Sequence, residues 1–155
     1  MARKRISIRN CSFRNKVETT LKDIPPNELH YVKVPENHIV IDFDLTDEDG
    51  EKDLERNLRA AQEWPATYTE TSQSGKGVHL HYIYTGDVSE LASVYDVGIE
   101  VKTLLGDASL RRKVTLFNDH ESSQISSGLP LKEKKMLDHN AVKTEKGLRE
   151  LIGRN

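Results

Sequence analysis

Asp42 and Asp44 close an apolar run, HIVIDFD, and two later segments, SGKGVHLHY at 74–82 and GIEVK at 98–102, add a histidine and a third carboxylate. Within 38–44 the apolar Ile39, Ile41 and Phe43 alternate with His38, Val40, Asp42 and Asp44, so in a strand both acids point to one side. Two carboxylates on one strand face repel each other, which favours a resident cation or a raised pKa, and hard oxygen donors suit magnesium or manganese. With Glu100 as a third acid and His79 beside them, the set has the composition of a two-metal phosphoryl-transfer site. Taken singly, an acid-apolar-acid triplet is also what a strand running into a loop commonly carries.

Ser74-Gly75-Lys76-Gly77 has the makings of a phosphate cradle, because glycines let backbone N–H groups turn toward an anion while Ser74 or Lys76 adds a contact. It is not a P-loop: Glu70 stands where the first glycine belongs, Gly77 replaces the required Ser or Thr, and a strand follows. The bland alternative is a hairpin turn. The acidic stretch 42–55 fails as a calcium loop, since aligning Gly50 with the loop's central glycine puts Leu45 and Arg56 at positions that need carboxylates. Glu100 lies inside a short apolar strand with Lys102 on its own face, as an inward ion pair or an edge position would also have it. Arg111-Arg112-Lys113 supplies positive charge just before VTLF. Such a patch is ordinary on a surface and useful beside a phosphate.

These residues need strands and turns to hold them. The spacing predicts strands at 29–34, 38–44, 67–71, 78–85, 99–102 and 113–117, set off by Pro25-Pro26-Asn27 and Pro35-Glu36-Asn37. In 78–85, His79, His81 and Ile83 share one face and Val78, Leu80, Tyr82 and Tyr84 the other. A helix over about 51–63, with Thr46-Asp47 as cap residues, a Leu54/Leu58/Ala61 stripe and Pro65 as terminator, joins the second strand to the third. A short helix is expected at 88–95, loop at 122–128, a basic linker at 132–143 and a helix start at 144–152. The fold class is α+β, a mostly antiparallel sheet flanked by helices. We divide the chain into a catalytic domain, 1–130, and a linker with the start of a C-terminal helical region, 131–155.

At 155 residues the chain is large enough to bury a core in one domain. One cysteine, Cys11, excludes a disulfide framework and fits a reducing interior. No apolar run approaches the roughly 20 residues of a membrane span, and the basic start MARKRISIR lacks an apolar segment behind it, so a cytoplasmic protein is expected. A net charge of −2 does not announce nucleic acid, but basic residues gather at 1–10, at Lys76, at 111–113 and at 132–135 while acids fill 42–55.

Together, HIVIDFD, SGKGVHLHY and GIEVK followed by RRKVTLFND resemble, in order and spacing, the three motifs of the archaeo-eukaryotic primase superfamily. ERNLRAAQEWPATYTE and the SSGLPLK stretch resemble its phage replication branch, so the likeness spans about 28–152. The resemblance implies an RNA-recognition-motif-like catalytic core and template-directed nucleotidyl transfer from nucleoside triphosphates on single-stranded DNA. It implies Asp42, Asp44 and Glu100 as holders of two magnesium or manganese ions and His79 as a contact to the nucleotide's phosphates. Ser74 and Lys76 belong to the nucleotide-binding turn, with Lys102 and Arg112 as further phosphate contacts. No Cys/His set for a zinc site is visible, and with no helicase motif in the chain, unwinding falls to a fused domain or a separate replicative helicase. A second resemblance competes: His79-Leu80-His81 fits the His-hydrophobic-His signature of rolling-circle nucleases and relaxases, which bind metal through both imidazoles and attack DNA with a tyrosine, here Tyr82 or Tyr95. It leaves Asp42 and Asp44 without a role.

Overall fold

The structure is a computed structural model and describes residues 6–7 and 23–133. In chain order the elements are β1 (Ile6–Ser7), β2 (His30–Val32), β3 (His38–Phe43), α1 (Leu54–Gln62), β4 (Tyr68–Thr71), β5 (Val78–Tyr84), a 3-10 turn (Val88–Glu90), β6 (Val94–Asp96), β7 (Ile99–Thr103), β8 (Leu110–Arg112) and β9 (Ser123–Ile125). The main sheet has the order β4-β5-β3-β7-β6, and β9 adds to the β4 side of β5; β1, β2 and β8 form a second, three-stranded sheet. β4 pairs antiparallel with β5 and β5 antiparallel with β3, so β4 runs parallel to β3 with β5 between them. The helix is the crossover that such a return requires.

Strict alternation in β3 and β5 divides the main sheet. Ile39, Ile41 and Phe43 join Val78, Leu80, Tyr82, Ile99 and Val101 in one core against Ala61, Leu54 and Trp64 from the helix side. Val40, on the opposite face, packs with Val32, Val34, Leu104 and Leu110 under the small sheet. The main sheet is therefore covered by one helix on one side and in part by strands on the other, and α+β with a mostly antiparallel sheet is the observed class.

Several expectations are corrected. The sheet is not flanked by helices: α1 is the one α-helix among the described residues. The stretch 88–95 makes a single 3-10 turn capped by Asp87, after which Leu91 is extended and bridges Leu131. The strand expected at 113–117 lies earlier, at β8, where Leu110 fills the second core; Leu116 and Phe117 are 62% and 59% exposed, and Phe117 makes only an isolated bridge to Glu70. The Ser-rich 122–128 contains β9, held parallel to β5 and tied back by Ser123, whose N–H donates to Thr67 Oγ1 and whose hydroxyl donates to Ala66 O. The helix cap is Asp53, which accepts the Glu55 and Arg56 N–H groups, whereas Asp47 closes the preceding turn by accepting from Asp49 and Glu51. On the helix itself Asn57, not Leu58, is buried. The helix expected at 144–152 lies outside the described residues.

Candidate metal and phosphate site

Strand register assembles the site. Asp42 stands directly opposite His79 of β5 on one side and Glu100 of β7 on the other, and His79 in turn stands opposite Glu70 of β4. Directly opposed residues share a face, so Glu70, His79, Asp42 and Glu100 form one row across four strands. The row runs from buried Glu70 to exposed Glu100. Next to it lies a second row, Tyr68, His81, Val40 and Lys102.

Asp42 is almost fully enclosed. Its Oδ1 lies 3.1 Å from His79 Nε2, and its Oδ2 pairs with Lys102 Nζ. Burial by itself would raise the Asp42 pKa, but the contacts from His79 and Lys102 outweigh it and hold the carboxyl at about 2. The Lys102 ammonium moves the other way: burial lowers its pKa, and the hydrogen bond and charge of Asp42, with Glu100 and Asp44 adding, raise it overall. Asp44, one step past the strand end, donates its N–H to Gly98 O at 2.7 Å and places Oδ1 2.8 Å from Lys52 Nζ. Asp42 Oδ1 and Asp44 Oδ1 are both shut off from solvent, the first against His79 and the second against Lys52. Carboxylate oxygens are the donors a hard divalent cation takes, but here Asp42 and Asp44 are paired with Lys102, His79 and Lys52, and Asp42, Asp44 and Glu100 are not gathered into one close group of ligand atoms.

The glycine turn reaches this region from the side. A Cβ on Gly77 would lie 2.8 Å from Asp44 Oδ1 and 2.7 Å from Ser72 Oγ, so the turn backbone is pressed against the second carboxylate. Gly75, at φ 76, reverses the chain. Contrary to the cradle expectation, three N–H groups of the turn are used inside it: Gly75 donates to Ser72 O, Lys76 to Ser74 Oγ and Gly77 to Ser72 Oγ. Ser74 and Lys76 are exposed at its tip, the Ser74 hydroxyl lying 3.1 Å from Ser72 Oγ.

Two residues that the sequence reading passes over hold the site together. Asn57 accepts from Leu45 N–H at 2.8 Å and donates to Lys76 O at 3.0 Å, fastening the segment after Asp44 and the glycine turn to the same helix. Glu70 accepts from the Arg112 guanidinium, from Tyr68 Oη at 3.0 Å and, at 2.8 Å, contacts His81 Nε2. Burial opposes its ionisation, yet His81 and Arg112 together press its pKa well below the usual carboxylate range. A polar residue amid β-formers at 67–71 is the one sequence signal for Glu70.

Arg112, expected to meet phosphate, is instead largely enclosed and committed to Glu70 and Tyr68. His81 is fully buried, with Nδ1 2.8 Å from His38 Nε2 and its other nitrogen on Glu70. Glu70, His79 and His81 also form a group whose ligand atoms all lie within 4.8 Å of one another and could hold a metal ion. Two imidazoles and a carboxylate suit zinc and other borderline ions alike and do not choose among them. The third member comes from β4, which spacing around the histidines does not reveal. Among the described residues no helix is long and apolar enough to cross a membrane. No family model and no curated protein matches the chain.

Proposed function

We propose that this chain is the catalytic core of a divalent-metal-dependent nucleotidyltransferase of the primase-polymerase kind. It joins nucleoside triphosphates along a single-stranded DNA template in phage-type replication, with unwinding left to a helicase. The observation that carries the reading is the row Glu100, Asp42 and His79 on one sheet face, with Asp44 at the strand end against the glycine turn. The row draws one residue from each of the three segments that carry the resemblance, which supports the reading.

Asp42, Asp44 and Glu100 would hold magnesium or manganese. Such ions, when bound, activate the attacking 3′-hydroxyl and neutralise the triphosphate. The chain's own residues do the rest. His79, 15% exposed and beside Asp42, presents its ring at the carboxylates' edge, where a phosphate oxygen must pass. Lys102, half-exposed, adds positive charge over the same carboxylate. Ser74 and Lys76 extend from the turn toward the distal phosphates. Arg112 is not among these contacts, because its guanidinium serves Glu70.

The Glu70–His79–His81 group favours a second reading, a nicking nuclease. That chemistry needs a tyrosine on the same face. Tyr82 is buried in the opposite core with its hydroxyl on Pro65 O, and the Tyr95 ring packs 4.8 Å from Trp64, which lines that same core. Incubation with single-stranded DNA, manganese and labelled nucleoside triphosphates decides between them. Oligonucleotide products that vanish in Asp42→Ala and His79→Ala support the polymerase, whereas a tyrosine-linked DNA adduct transfers the assignment to the nuclease.

A further inference from the structure

Lys52 has no part in any motif, yet it is built into the site. Asp47 closes a turn over 47–51 by accepting the Asp49 and Glu51 N–H groups, and donates its own N–H to Glu51 O. Thr46 and Lys52 then bridge across its base. This fixes the Lys52 backbone beside the end of β3, from where Nζ reaches Asp44 Oδ1 at 2.8 Å. The side chain is 43% exposed, so the ammonium has both a partner and a path outward. On the neighbouring carboxylate Lys102 does the same for Asp42. Leaving His79 aside, the two ammonium groups balance Asp42 and Asp44, and Glu100 in the same row adds one negative charge.

Resting on the metal reading above, we propose that Lys52 is an exchangeable counter-ion: a divalent cation displaces its ammonium from Asp44, and the freed ammonium binds the phosphates of the incoming nucleoside triphosphate. The charges support this order. Divalent ions at the carboxylates make the two lysines surplus, and the triphosphate brings the negative charge that needs them. A half-exposed lysine on a flexible stem moves a few ångströms at little cost, because an exposed ion pair contributes little to stability.

The test uses the full chain and two readouts that must move in opposite directions. Manganese binding is measured by titration calorimetry in the absence of nucleotide, and ATP binding by equilibrium dialysis at saturating manganese, for wild type, Lys52→Met and Asp44→Asn. For Lys52→Met we expect manganese to bind roughly two- to fivefold tighter, the range an exposed ion pair commands, and ATP to bind several-fold more weakly. Unchanged affinities, or weakening of both, overturn the proposal, the latter pointing to a structural role. Asp44→Asn separates the two failures: if it loses manganese affinity while Lys52→Met changes nothing, the exchange fails and the metal site stands, and if it keeps manganese affinity the metal reading itself falls.

Discussion

Asp42 of β3 and His79 of β5 occupy opposed positions in an antiparallel ladder, with Oδ1 and Nε2 3.1 Å apart. The contact is set by backbone register, so it survives changes in surface loops and is broken by changes to either side chain. His79→Ala is expected to abolish primer synthesis and to lower stability only modestly, because the ring is 15% exposed and its partner Asp42 keeps Lys102. His81→Ala, which empties a fully buried position between Glu70 and His38, should instead lower stability by about 2 kcal/mol or more, since buried partners lose their hydrogen bonds. Equal stability loss in the two variants would contradict this division of labour.

Glu70 and Arg112 form a buried ion pair, and removing one partner strands the other. Glu70→Gln should cost about 3–5 kcal/mol in urea unfolding, while Glu70→Leu combined with Arg112→Met should cost much less or nothing. If Arg112→Met alone leaves stability intact and weakens nucleotide binding, Arg112 is a phosphate contact after all.

Acid should unfold the protein through these carboxylates. The folded-state pKa values of Asp42 and Glu70 lie below their unfolded values, so the unfolded chain binds more protons as pH falls. Their contribution to stability is complete above about pH 5 and is lost from roughly pH 4 down toward pH 2. Urea midpoints across pH 2–7 should show that slope, and Glu70→Gln should flatten it; an unchanged acid limb in the variant would refute the assignment.

Gly77→Ala probes the approach of the turn to Asp44. The added methyl meets Asp44 Oδ1, Ser72 Oγ and the Phe43 carbonyl, and overpacking of this kind costs about 1–3 kcal/mol. Because the carboxylate must move, manganese affinity should fall with it. Calorimetry on the folded variant checks this, and wild-type affinity would mean that Asp44 has room to adjust.

Much of this architecture is legible in the alternation of apolar residues. In 38–44 and 78–84 the period of two separates Ile39, Ile41 and Phe43 from Asp42, and Leu80 and Tyr82 from His79, which fixes faces but not neighbours. Which strand lies beside which is decided by non-local pairing, so the opposition of Glu70 to His79 is invisible in sequence. Arg112 reads as a surface cation for the same reason: its partner is far away in the chain. Asn57 defeats the helical stripe because its burial is compensated by hydrogen bonds to loops, not by apolar packing. β9 escapes notice since it pairs with β5 through its backbone while its own composition signals loop.

Asn57 also has a mechanical consequence. Its one amide holds Leu45, next to Asp44, and Lys76, in the glycine turn, so both loops are pinned to a single point on α1. Thermal excursions of the two are therefore correlated: a tilt of the helix carries carboxylate and turn together and preserves the gap between them.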